Sequence, residues 1–479
     1  MKNICLPKNS KTGEIGVSEN KFVLALYDFA SKQEFIYRTS KVKEISGASK
    51  LLSDMYAKFC DILKENGKLL KFDLDSEFSW SCFESDKNII GEVLYEGGGN
   101  LMVLYKSKED YVEANKIISV MLLKEFPTLK MISCFVEAEG NFRVDRTALY
   151  RKLIKRKNCF PTMSVSAVTP FTQVDPTTFL PVVMKDMAKE LSYSADRVAK
   201  LKAYKYSSTN NLDNLEEMIA VVYVDGNAMG EKLKSCDSDD YNDGVKKLRI
   251  FSKTVNRIYV EEPMKAIEKT VGLSKHNGFR RVIGGGDEIT IICDARIALA
   301  VVNSYFDALS KQTMVIDGDE FKCTACAGVA VAHAKTPFSS VYEIAEAACE
   351  SAKEEAHIND GNYFDFHYCH AGITGTFETI RAFEQKGITN RPYKFVADRG
   401  FVEFSEYDDL LRRASRSNVK TLGAAAQRGI ENYQFECKRV NAYLSGEGKL
   451  FKAHNEEMKI VYDMSEFFDL WFSKEVGTE

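Results

Sequence analysis

Two carboxylates follow a run of glycines in VIGGGDEITIIC, residues 282–293. Gly284, Gly285 and Gly286 precede Asp287 and Glu288, with apolar residues on both sides. An ordinary two-residue hairpin needs few glycines and tolerates many polar neighbours. Upstream, IAVVYVDGNAMG gives an apolar strand ending at Asp225, then Gly226 and Asn227. A strand-end acid and acids at a neighbouring hairpin tip can meet at one edge of a sheet. Carboxylates held together repel unless a cation lies between them. Mg²⁺ takes oxygen ligands, commonly one or two carboxylates plus substrate phosphates. Glycines at the turn admit a phosphate or a base with no Cβ in the way. Asp225, Asp287 and Glu288 are therefore candidate ligands for Mg²⁺ or Mn²⁺. Two such ions would activate an attacking hydroxyl and steady a leaving pyrophosphate. Gly226 permits a tight turn, and the amides of residues 227–230 open a short helix whose positive end can face a phosphate. Each motif alone has a plainer reading. GGGDE is a surface hairpin with solvated acids, and Asp225 is a helix N-cap. In strand–turn–helix–hairpin order the metal reading is the stronger.

The chain repeats this pattern. VLYEGGGNLMVLY, residues 93–105, is again strand, three glycines, one residue, strand. LALYD ends at Asp28 as VVYVD ends at Asp225. Superposing the glycines puts Asn100 in the place of Asp287 and Leu101 in that of Glu288. The expectation is a duplicated domain in which one copy has kept its acids.

The elements that must position these residues follow from periodicity. Residues 110–126 read as a helix and 129–137 as a strand. Leu248, Phe251, Val255 and Ile258 mark one apolar helical face within 239–270. The second half reads strand–helix–strand–strand–helix–strand, with a trailing helix and strand. That order predicts an α+β domain with an antiparallel-centred sheet and helices on one face. Four of the nine prolines lie between Pro161 and Pro181, which marks a linker. The expected division is a first domain over 1–158, a linker over 159–195, a second domain over 196–375 and a helical region over 376–479.

Composition bounds the partners. Lys+Arg 65 against Asp+Glu 69 gives a net charge of −4, so little general nucleic-acid binding is expected. No run is long and apolar enough to span a membrane, and MKNICLPKNSKTGEIG has no signal-peptide core. Twelve scattered cysteines suit reduced thiols in a cytoplasm. Cys323 and Cys326 sit three apart in a predicted strand, so they point to opposite faces rather than form half a zinc site.

Taken together, the motifs resemble the palm-type polymerase/cyclase family of CRISPR immunity, the large subunits of type III effector complexes. VVYVDGNAMGEKL resembles the first palm strand and its turn. IGGGDEITII resembles the metal hairpin, with Glu288 where the family usually has a second Asp. CAGVAVAHAKTPFSSVYEIAEAACESAKE resembles the strand–turn–helix that follows, including His333, Lys335 and Pro337. QEFIYRTSKVKEISGASKLL resembles a first-palm helix, and RPYKF with LRRASRSNVKTLGAAAQRG the helical region after the second palm. No histidine is followed by Asp, and the linker holds only Cys159. The family's histidine–aspartate nuclease and zinc module are therefore not expected, and the chain reads as a compact, stand-alone relative.

The resemblance implies two ferredoxin-like palms in tandem plus C-terminal helices. It implies ATP as substrate, bound over two metals at Asp225, Asp287 and Glu288. Gly226, Asn227, Gly285 and Gly286 would line that site, with Lys335 and Lys353 as candidates to neutralise phosphate. The first palm would hold an acceptor nucleotide near Ser49 and Asn100. The product would be a cyclic di- or oligonucleotide, serving anti-phage signalling alongside CRISPR-like or other defence proteins. Two other readings are a non-catalytic nucleotide- or RNA-binding subunit and a diguanylate-type cyclase.

Overall fold

The computed structural model describes residues 21–30, 32–39, 41–159, 171–186, 191–205, 217–272, 278–369, 375–385, 387–444, 448 and 450–472. The N-terminal segment read above, together with Pro161 and Pro170, lies outside them.

Apolar runs, buried on both faces in the middle of each sheet and half-buried at its edges, form the strands. In the first half these are β1 (Val23–Ala30), β2 (Gly91–Gly97), β3 (Asn100–Tyr105) and β4 (Lys130–Glu137). They lie in the order β2-β3-β1-β4, with the short strand Leu70–Lys71 outside β2. In the second half β5 (Met218–Gly226), β6 (Phe279–Gly285), β7 (Glu288–Asp294) and β8 (Ala325–His333) take the same order, β6-β7-β5-β8. Here β9 (Asn362–Tyr368) adds parallel to β8, and Tyr393–Phe395 closes that edge. Both halves are ferredoxin-like palms, and helices follow at the C-terminus.

The duplication is therefore real, but its register differs by one residue from the glycine superposition. Asp225 pairs with Glu288, and Asp28 pairs with Asn100. Likewise Gly285 faces Glu288 across one turn and Gly97 faces Asn100 across the other. Asn100 therefore stands in the place of Glu288, and Gly99 in that of Asp287. Leu101 is buried and matches Ile289, which is also buried. The glycine triplets mislead because only two residues form each turn. In the first hairpin both turn residues, Gly98 and Gly99, have positive φ, whereas in the second only Gly286 does.

The principal helices are α1 (Val42–Glu65), α2 (Lys108–Glu125), α3 (Phe142–Asn158), α4 (Ala195–Lys205), α5 (Tyr241–Asn256), α6 (Ala298–Ser310) and α7 (Phe338–Asn359). They cover both faces of each sheet, not one. Val23, Ala25 and Tyr27 pack on Ile45 and Ala48 of α1 and Tyr111 of α2. That core continues into Val221 and Ala330 of the second sheet and Val341 and Ala345 of α7. The reverse faces, Leu24 and Met102 in one palm and Val222 and Ile291 in the other, share a second core with α3, α5 and α6. Each palm thus supplies part of the other's hydrophobic interior, and the two form one body. Cys323 and Cys326 fall in different cores, as residues three apart near a strand should.

Polar contacts repeat the exchange. Arg249 of α5 donates to the carbonyls of Leu94 (2.9 Å) and Val93 (2.8 Å) on β2, and Ser252 donates to that of Glu96 (3.0 Å). In turn α1 packs against β6.

Strands also form among the described residues of 159–195. Val182–Asp186 and Leu191–Ser194 pair as strands. Helix α4 lies along α1, so it packs on the first palm although all but its first residue fall within 196–375. Buried Arg197 explains this, because its ion pairs reach both Glu44 of α1 and Asp175, each at 2.9 Å. The C-terminal region is fastened the same way. Buried Arg391 pairs with Asp463 (2.9 Å) and Glu466, and donates to the carbonyl of Phe366 (2.6 Å).

Candidate active site

The strand register brings the acids together. Asp225 ends β5, Glu288 opens β7 opposite it, and Asp287 occupies the turn between β6 and β7. The Asp287 carboxyl lies within hydrogen-bonding reach of Asp225. Gly226 makes room for this, since a Cβ there would meet the Asp287 Cβ at 2.9 Å. Gly285 faces open space.

Electrostatics marks the cluster as short of positive charge. Burial, followed by repulsion from Asp225, pushes Asp287 up to about 6. Burial, followed by Asp225 and Asp287, pushes Glu288 up to about 7, and Lys32 of the first palm draws it back. One cation is already present. Lys353 on α7 pairs with Asp225 (2.6 Å) and Glu350 (2.9 Å). Burial works against the Lys353 charge, but those two hydrogen bonds outweigh it and raise its pKa.

The residues fit a divalent ion in the ordinary magnesium manner. Among the described residues no three ligating side chains enclose an ion by themselves. Two carboxylates completed by water and phosphate oxygens is the usual Mg²⁺ arrangement. The raised Asp287 and Glu288 are acids that such an ion would relieve.

The other predicted residues divide. Asn227 braces the β5 turn, donating to Thr324 Oγ1 (3.3 Å) and the Gly361 carbonyl (3.2 Å). The helix after it, Met229–Lys234, has only six residues and starts beyond Ala228, which has a φ of 57°. Ser49 lies half-buried on α1, and Asn100 lies at the first hairpin. Lys335 does not belong to the site. Cys326 pairs with Asp225, whereas His333 pairs with Met218 at the other end of β5. Seven residues of strand put Lys335 roughly 20 Å away. His333 is exposed rather than packed, and its Nδ1 accepts the Lys335 amide (3.1 Å).

The structure adds residues that the sequence did not single out. Lys32 reaches Asp28 at 3.2 Å and donates to the Gly98 carbonyl at 3.0 Å. Lys157 also pairs with Asp28. Gln33 of the first palm donates to Glu346 of α7 at 2.9 Å, and Glu346 adds to the negative field on Glu288. Buried Lys232 donates to Tyr259 (3.1 Å) and the Asn227 carbonyl (3.0 Å) beneath the turn, and burial lowers its pKa. Only Lys32 left a trace in the sequence, four residues after the strand-end acid.

The acidic edge lies on the second of the two palms. The second palm is of the Cas10/Cmr2 type, since residues 218–360 match the family model "Cas10/Cmr2, second palm domain". Solved structures share the fold. The Csm1-Csm4 cassette in complex with pppApApA aligns at TM-score 0.54 and 15% identity, over 93% of this chain and 70% of that one. The apo Csm1-Csm4 cassette aligns at TM-score 0.50 and 16% identity, over 95% of this chain and 71% of that one. In the cassette complexed with cA4 the match has TM-score 0.43 and 17% identity, and this chain spans 53% of that chain's length. No curated protein matches the chain.

Proposed function

We propose that this chain is a metal-dependent nucleotidyltransferase that condenses ATP into cyclic di- or oligonucleotides and releases pyrophosphate. The observation that carries the reading is the meeting of Asp225, Asp287 and Glu288 at an edge facing the acid-poor hairpin of the other palm. The similar Csm1-Csm4 cassette solved with pppApApA supports the choice of an adenine nucleotide as substrate.

Asp225 and Asp287 would hold Mg²⁺ or Mn²⁺, with Glu288 as a third ligand or a substrate contact. When bound, the metal supplies positive charge and lowers the pKa of an attacking hydroxyl. Lys353 shifts from Asp225 toward the donor triphosphate and neutralises it as the leaving group forms. Gly226, Gly285 and Gly286 let the phosphates approach the backbone. The first palm orients the acceptor so that its hydroxyl meets the donor α-phosphorus in line, and pyrophosphate departs.

We assign catalysis to 196–375, acceptor binding to 1–158, the connection to 159–195 and the helical region to 376–479. Action in the cytoplasm, with CRISPR-like or other defence proteins as partners, belongs to the same proposal. One observation favours the non-catalytic reading, namely that Lys353 already neutralises Asp225. The test is incubation with each nucleoside triphosphate and Mg²⁺ or Mn²⁺, with products resolved by mass. Cyclic products from ATP support condensation, and bound but unchanged ATP supports the binding reading.

A further inference from the structure

The first-palm hairpin carries an arrangement that its twin lacks. Asp28 is buried, its side chain 3% exposed, and two ammonium groups converge on it, Lys32 on Oδ1 and Lys157 on Oδ2. In the corrected register Gly99 stands where the second palm has Asp287. A Cβ on Gly99 would lie 2.0 Å from Lys32 Nζ. An ammonium thus stands where the other hairpin carries a carboxylate.

The backbone oxygens of that turn already accept hydrogen bonds. The Gly98 carbonyl accepts from Lys32, and the Gly99 carbonyl accepts from the Tyr56 hydroxyl at 2.6 Å. Two lysines on one carboxylate leave a surplus positive charge. Both stay reachable, with Lys32 30% and Lys157 46% exposed. Gly98, whose carbonyl Lys32 holds, faces Gly286 of the second palm, so this hairpin lies at the junction between the palms.

We infer that the first-palm hairpin is a metal-free polyphosphate site, in which Lys32 and Lys157 bind the di- or triphosphate of the acceptor. This rests on the first palm being the acceptor side. Asp28 serves there as a positioning residue. It gathers the two ammonium groups and releases them to phosphate oxygens, with which lysine forms charge-assisted hydrogen bonds. The shared chemistry is a polyphosphate, whether on a mononucleotide or at the 5′ end of a growing chain.

The experiment is titration calorimetry in EDTA with inorganic tripolyphosphate, an ATP analogue carrying a methylene between the α and β phosphorus atoms, and adenosine. Tripolyphosphate and the analogue bind, and adenosine binds far more weakly. Lys32→Met and Lys157→Met each weaken tripolyphosphate binding about tenfold, the loss of one charge-assisted contact. Asp28→Asn tightens it, because the ammonium groups lose their internal competitor. This variant keeps the test alive if a lysine variant fails to fold. Unchanged affinity in both lysine variants, or weaker binding in Asp28→Asn, overturns the inference. Adenosine binding as tightly as the analogue does so too. If metal-free binding persists while wild-type protein makes no product, the proposed chemistry fails and this site stands. If product forms without metal-free binding, the reverse holds.

Discussion

Gly98 and Gly286 face each other across the two palms, and a Cβ placed on Gly286 would sit 3.8 Å from the Gly98 Cα. The hairpin tips therefore meet within one chain. On the proposed reading a single molecule holds a complete donor and acceptor site. Activity per molecule should stay constant on dilution, whereas that of a homodimeric cyclase would fall as the dimer dissociates. Initial rates across a hundredfold range of protein concentration check this.

Asp287 gives a pH signature. Its folded pKa, about 6, lies above the ordinary carboxylate value near 3.9. The fold therefore favours the protonated acid. No penalty exists below about pH 4. It grows as pH rises toward 6 and is full above it. In EDTA at pH 8, Asp287→Asn should be more stable than wild type by about 1–3 kcal/mol. The difference should vanish near pH 4 and shrink when Mg²⁺ is added at pH 8. Thermal unfolding at both pH values reads the effect.

Asp225 should behave differently, because it neutralises Lys353. Asp225→Ala removes one acid from the cluster but leaves a partly buried ammonium with only Glu350. It should gain no stability in metal-free buffer, whereas Asp287→Ala should. Both should lose product formation. Equal stabilisation by the two variants would show that the Lys353 pair contributes little.

Gly328 sets the seat of α7, which carries Glu346 and Lys353. A Cβ there would lie 1.9 Å from the Ala345 carbonyl oxygen and 2.4 Å from the Cys349 nitrogen. Gly328→Ala must push the helix away from β8, at a cost of about 1–3 kcal/mol. Donor binding should weaken more than metal-free tripolyphosphate binding, since only the second palm is disturbed. Denaturant unfolding and the two titrations together check this.

The acids and the duplication were legible because they depend on local pattern, an apolar run ending in Asp followed by a glycine hairpin. The register was not, since three glycines allow two placements of a two-residue turn. Lys335 was misplaced for a similar reason. A motif beside a strand does not tell which end of that strand it occupies, and His333 lies opposite Met218 rather than Asp225. Lys32 left only its spacing, four residues after Asp28, and Lys157, Gln33 and Glu346 could not be read at all. Lys157 reaches Asp28 through the packing of α3 on β1 within the first palm, and Gln33 meets Glu346 only where one palm packs against the other.

The central claim is tested most directly by pyrophosphate release and mass-resolved products from ATP and Mn²⁺, compared between wild type and Asp287→Asn. The account predicts cyclic adenylate products with matching pyrophosphate in the wild type, and loss of both by at least a hundredfold, about 2.7 kcal/mol of barrier, in the variant. Wild-type product levels from Asp287→Asn would contradict it.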